Sequence, residues 1–422
     1  MKEEFLHFLW KYRLFISPLT TTLNEPIEVI KPGVQNTDAG PDFVDARLRI
    51  SDTLWAGNVE AHIQASSWYD HNHDKDSSYD NVILHLVLNN DKPAKRTNGQ
   101  VIPCLECDKI IPLAIYETYK DLMSSKLWIP CARIIKSCPE IVIGSWIETQ
   151  LVERLAAKTA AIEMILKANG NDWEETFYRL LARSFGLKIN TLPFEMLAAS
   201  LPYKILARHY DQPVQIDALI FGQAGFLAHD NIDGYPALLK KEYEFLKNKY
   251  SLQPMDVSVW KFLRLRPVAF PTIRLAQFSA LMQSTDSLFS RVLETKEIDQ
   301  LRSLFKLKAS EYWDTHYRFD KPSNDQAPKL LGEQGIDLLL INAVVPMLFC
   351  YGRLHQSDEF KNRAFDFLEA LPAEQNATIN KWKSLGIPVK DAFASQALLN
   401  LKMSYCDHKK CLYCRIGNEL LR

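Results

Sequence analysis

Near residue 125 the spacing of apolar residues changes, and this change most limits what the chain can fold into. Before it, short β-type runs alternate with turn signals. The runs are Pro26–Lys31 ahead of Pro32-Gly33, Asp42–Ile50, Leu54–Gln64, Asn81–Asn89, and Gln100–Glu106 after Asn98-Gly99. Phe5, Leu6, Leu9, Trp10 and Leu14 recur at helical spacing in Lys2–Phe15, which gives one helix an apolar face to lay on a sheet. A helix, a three-strand meander, a short connection and further strands make an α+β pattern with a mainly antiparallel sheet.

After residue 140 the period is about 3.6. In Gly144–Ala168, Ile147, Leu151, Leu155, Ile162 and Ile165 form one stripe. Similar stretches follow at Trp173–Phe185, Phe194–Leu201, Tyr235–Tyr250, Thr272–Met282, Glu297–Leu307, Gly335–Leu354, Glu359–Leu371 and Ala392–Met403. Two domains are therefore expected, an α+β domain over 1–125 and a larger all-helical domain over 140–422. The 422 residues are 47 % hydrophobic and 24 % charged, which excludes disordered and low-complexity classes. Fifty Lys and Arg against 51 Asp and Glu leave a net charge of −1, so any nucleic-acid partner must be met by a local patch. The acidic N-terminus does not read as a signal peptide, and Ile336–Tyr351 is too short and broken to span a bilayer. A cytoplasmic protein without a membrane partner is expected; the sequence does not fix its oligomeric state.

Four of the ten His (His62, His71, His73 and His85) crowd a short stretch that also holds Glu60, Asp70, Asp74 and Asp76. In a strand, Glu60, His62 and Gln64 project from one face while Val59, Ala61 and Ile63 pack the other. A plain solvent-facing strand would give the same alternation. Upstream, Gly40-Pro41 makes a turn that delivers Asp42 to the start of the neighbouring strand. Asp42 and Glu60 together supply the two carboxylates that a hard divalent ion, Mg²⁺ or Mn²⁺, requires, and His62 adds a proton-handling group. Such a trio suits phosphodiester cleavage.

The helix, the meander, Gly-Pro-Asp on one strand and Glu-x-basic on the next resemble the restriction-endonuclease-like PD-(D/E)xK nucleases over about residues 1–110. The resemblance implies metal-binding roles for Asp42 and Glu60, with His62 where those enzymes carry Lys. Gly-Pro-Asp-Phe, Val-Glu-Ala-His, Trp-Tyr-Asp-His-Asn-His and Val-Ile-Leu-His also resemble an uncharacterised bacterial domain-of-unknown-function family across the whole chain.

His71, His73 and Asp76 are expected to contact the scissile phosphate or a second metal. Alternatively, they join His62 around zinc in a small-molecule hydrolase, or they are structural groups of a non-catalytic nucleic-acid-binding or scaffold protein. His85, inside an apolar strand, reads as a core histidine. Arg264, Arg266 and Arg274, interleaved with Trp260 and Phe270, could hold phosphates while an aromatic ring stacks on a base; a helix-stapling role fits them equally. At the C-terminus, Cys406-x4-Cys411-x2-Cys414 has metal-site spacing. His408, Cys131, Cys138 and the Cys104/Cys107 pair are the options for a fourth ligand, with Zn²⁺ or an iron–sulfur cluster as the occupant.

Overall fold

A computed structural model describes residues 1–228, 233–285, 287–324 and 326–422. The chain divides into two compact units, 1–147 together with 401–422, and 148–400. The C-terminal cysteine segment, expected in the helical part, thus belongs to the unit that carries the sheet.

In that unit helix α1 (Glu3–Tyr12) precedes strands β1 (Leu19–Thr20), β2 (Pro26–Lys31), β3 (Val34–Gln35), β4 (Phe43–Ile50), β5 (Thr53–Gln64), β6 (Val82–Asn89) and β7 (Cys104–Glu106). They form one seven-stranded sheet in the order β1-β2-β4-β5-β6-β7, with β3 also paired to β4. The expectation of a mainly antiparallel sheet holds as far as β5. Beyond it β6 pairs parallel to β5, and β7 parallel to β6, so the sheet is mixed. The physical cause is the connection 65–81, which crosses back through helix α2 (Ser67–Asp70) and two 3₁₀ turns before β6 begins. Val82–Val87 are all buried, as expected of a strand covered on both faces.

Phe5, Leu6, Phe8, Leu9 and Trp10 bury the apolar side of α1, and Phe5 stacks on Tyr119 with ring centroids 4.1 Å apart. Trp10 donates its indole N–H to the Pro32 carbonyl at 2.8 Å, which fixes the helix against the loop after β2. Helix α3 (Leu113–Ser124) follows the sheet.

Among the described residues, the second unit is built of helices and one two-stranded hairpin, His316–Arg318 with Lys321–Pro322. Its apolar stretch Glu333–Leu354 is long and apolar enough to cross a membrane, yet 78 % of its most apolar window is buried within the protein. A π-helical turn at Leu340–Val344 interrupts it.

Candidate metal and proton-handling site

The loop before β4 places Asp42. Gly40 sits at φ +105°, a left-handed conformation that favours glycine, and Asn36 donates its side-chain amide to the carbonyls of Ala39 and Pro41, at 3.2 Å each. Asp42 and Glu60 then lock reciprocally across adjacent strands. The Asp42 backbone N–H donates to Glu60 Oε2, and the Ala61 N–H donates to Asp42 Oδ2, both at 3.0 Å. Glu60 and His62 are 5 % and 1 % exposed, so this side of β5 is no solvent-facing strand. Gln64 leaves the group: it is exposed and accepts a hydrogen bond from Asn89.

Four imidazoles surround these acids. His62 Nδ1 lies 2.8 Å from His85 Nε2, and His62 Nε2 lies 3.1 Å from His71 Nδ1, a chain running from a fully buried ring to an exposed one. His73 stacks on Tyr79, with centroids 3.7 Å apart, and meets Trp68 edge-on. Trp68 is itself anchored by its N–H to the Lys95 carbonyl. The Nε2 of His73 stands 3.3 Å from Glu60 Oε1 without a hydrogen bond, and His62 Nε2 is 3.7 Å from the same oxygen. Among the described residues, His62, His71 and His73 offer ligand atoms all within 4.8 Å of one another.

Two residues that sequence reasoning missed complete the site. Glu3 and His7, one helical turn apart on α1, face Asp42, and His7 Nε2 is 3.1 Å from Asp42 Oδ2. Their spacing on a predicted helix was a readable signal.

The electrostatics follow from burial and crowding. Burial, then the charge of Asp42, raises Glu3 to about 7. Burial, opposed by His73 and reinforced by Asp42, raises Glu60. Burial pulls His7 down, but Asp42, Glu3 and Glu60 outweigh it and the net direction is up. Burial and the neighbouring imidazoles depress His62 to about 3, and burial depresses His85 to about 3. A buried and a half-buried carboxylate beside imidazoles, two of which (His73 and His85) keep an unbonded nitrogen, form a donor set that fits a divalent cation.

The remaining predicted residues scatter. Asp76 is exposed and caps a 3₁₀ turn, accepting bonds from the Ser78 N–H and hydroxyl at 2.9 and 2.7 Å. His73 is also among its charged neighbours. Arg264 and Arg266 are exposed, whereas Arg274 is largely buried and bonds Gln277. Trp260 is a core residue, 5 % exposed, with its N–H on the Ala224 carbonyl, so it offers no face to a base. Phe270 packs against Phe262 and the Arg318 guanidinium. Cys406, Cys411 and Cys414 come together, while His408 is exposed outside them. Cys104 and Cys107 lie at β7, with Glu106 and each other for charged neighbours.

No curated protein and no solved structure matches the chain. A family model matches residues 3–377, nearly the whole length and every residue of the site just described. The chain belongs to the family described as Protein of unknown function (DUF2851).

Proposed function

We propose that this protein is a metal-dependent nuclease or related phosphodiesterase with its active site at Asp42, Glu60 and the surrounding imidazoles. The reading is carried by one observation: two carboxylates from adjacent strands, each fixed by the other strand's backbone, meet buried imidazoles on the same face. The order of α1, the antiparallel strands β2, β4 and β5, and the parallel β6 supports the likeness to PD-(D/E)xK nucleases.

Asp42 and Glu60 would hold Mg²⁺ or Mn²⁺, and the imidazole of His73 beside Glu60 favours Mn²⁺ of the two. Such an ion, when bound, supplies Lewis acidity and lowers the pKa of a coordinated water. His62 does not replace the cationic Lys of those enzymes, because its imidazole is neutral at physiological pH. It positions His71 and draws its own tautomer from His85. His7, whose protonated form Asp42 favours, is the nearest counterpart of that Lys, and Glu3, raised to about 7, is poised to accept a proton. Arg264 and Arg266, both exposed, would offer phosphate contacts of their own.

The test is cleavage of labelled single- and double-stranded DNA and RNA with Mg²⁺ or Mn²⁺, comparing the unaltered chain with Glu60→Ala. Metal-dependent cutting that disappears in a folded Glu60→Ala variant is the expected result; equal cutting by both would end the assignment. A second reading rests on the convergence of His62, His71 and His73: three imidazoles with an open position suit zinc-dependent hydrolysis of a small molecule. It predicts stoichiometric zinc, lost in His71→Ala and His73→Ala, from a chain that leaves nucleic acid intact. Asp76, committed to its cap, has no part in that set.

A further inference from the structure

The last 22 residues return to the sheet-bearing unit and are held there by dispersed contacts. Lys409 donates its ammonium to the Met123 carbonyl at 2.6 Å. Tyr405 meets Trp146 edge-on at 5.3 Å, and Arg415 bonds the Ser145 hydroxyl at 3.3 Å. Asn418 donates to the Tyr12 hydroxyl at 3.1 Å. Inside this seam lie Cys131, Cys411 and Cys414, buried, and Cys406, partly buried, all four as free thiols.

These thiols are one another's electrostatic neighbours. Cys406 feels Cys414, Cys131 and Cys411, and Cys131 feels Cys414 and Cys411. Cys138 stands at the edge: Glu419 and then Cys414 are its charged neighbours, and Cys131 is the thiol it acts on in turn. The backbone around the group is shaped to the sulfurs. The N–H groups of Ile416 and Gly417 donate to the Cys414 sulfur. A side chain at Gly417 would place its Cβ 2.2 Å from the Cys411 carbonyl oxygen, so only glycine lets the closing helix Arg415–Leu421 lie this close to the Cys411 turn. Lys402 and Lys409 supply positive charge beside Cys406 and Cys411.

Four thiols in van der Waals surroundings could serve as small apolar core groups. That role needs neither the Cys-x2-Cys turn, nor N–H donors aimed at a sulfur, nor flanking cations. The Cys-x2-Cys turn and the N–H donors aimed at a sulfur are what a thiolate ligand set uses, and the lysines only add to them.

We propose that Cys131, Cys406, Cys411 and Cys414 form a tetrathiolate metal centre, taking a zinc ion or an iron–sulfur cluster, that fastens the C-terminal segment to the sheet-bearing unit. Cys131 thus takes the fourth position for which His408 was a sequence-based option. The proposal is independent of the nuclease reading.

The test is metal, iron and acid-labile sulfide analysis of the full chain purified anaerobically without added metal. The expected result is either about one zinc per chain without sulfide, or iron with matching sulfide and a visible absorbance band. Either content should fall at least tenfold in Cys131→Ser and in Cys414→Ser, and persist in His408→Ala, in Cys138→Ser and in His71→Ala. Cys138→Ser puts the same change into the same buried neighbourhood, so it controls for a general loss of folding. Metal that survives Cys131→Ser, metal lost equally in Cys138→Ser, or no cysteine-dependent metal at all would overturn the proposal.

Discussion

Two buried carboxylate clusters in this protein have opposite characters. In the second unit, Asp217 is 4 % exposed and accepts hydrogen bonds from Tyr235, Ser279 and Gln283, so both of its oxygens are used by neutral donors. In the first unit, Glu60 is equally buried, but one oxygen faces imidazoles that do not bond it well, and His73 and His85 each keep an unbonded ring nitrogen. A satisfied cluster specifies packing. An unsatisfied one retains capacity for a ligand, and burial alone does not tell the two apart.

The sharpest way to break this comparison is to exchange the consequences. Asp42→Ala or Glu60→Ala should lower metal-dependent cleavage by about 10³-fold or more at a smaller stability cost, about 1 kcal/mol for the one backbone N–H that each leaves without its acceptor. Asp217→Ala should do the reverse, costing about 2–4 kcal/mol in a urea titration because three donors lose their acceptor, with activity per folded molecule intact. A folded Asp217→Ala protein without cleavage would abolish the distinction.

Next in size, Mn²⁺ at about 100 times its dissociation constant should stabilise the unaltered chain by about 2.7 kcal/mol. Thermal unfolding should register that gain, and lose it in His73→Ala.

Protonation sharpens the contrast further. His62 and His85 stay neutral in the folded chain down to about 3, whereas in the unfolded chain they take up protons below about 6.5. Stability is therefore full above about pH 6.5 and declines as pH falls toward 3, by up to about 2 kcal/mol per imidazole at pH 5. His7, with a raised pKa, works the other way: its contribution is present at low pH and fades as pH rises through its own titration. Denaturant midpoints of metal-free protein between pH 5 and 8 should fall on the acid side, and His85→Gln should flatten that limb.

The smallest effect is expected at the exposed arginines. Arg264→Ala with Arg266→Ala should weaken nucleic-acid binding less than about tenfold and reduce its salt slope by about one per lost contact. Trp260→Ala should register in stability instead, since that ring is core.

Much of this was legible in advance, and the failures have physical reasons. Pro26–Lys31 is a strand with the bounds its composition predicts, and Glu60, Asp42 and His62 do meet. Covering of β5 on both faces was not legible, because it depends on α1 and the 65–81 connection folding over a strand whose own alternation suits water. Glu3 and His7 share α1 with a strong apolar stripe, and nothing in the helix itself says that its polar side meets Asp42. Asp76 resembled a ligand by proximity in sequence, although Asp-Ser-Ser is equally a capping signal. The helix Pro213–Gln223 escaped notice because Ile216 through Gln223 are buried all round, and a helix apolar on every side has no 3.6-residue period to detect. Cys131 lies 275 positions before Cys406, a separation over which spacing could only place it beside Cys138 and the Cys104/Cys107 pair as an option.

The interrupted first unit has a consequence for synthesis. A ribosome releases residues 1–147 and then adds roughly 250 more before the segment 401–422 appears, which at typical elongation rates takes about 13 to 50 s. During that interval the nascent sheet domain carries Cys131 without the cysteines that join it. That seam stays open, and Cys131 without those cysteines beside it, until residues 401–422 have been made.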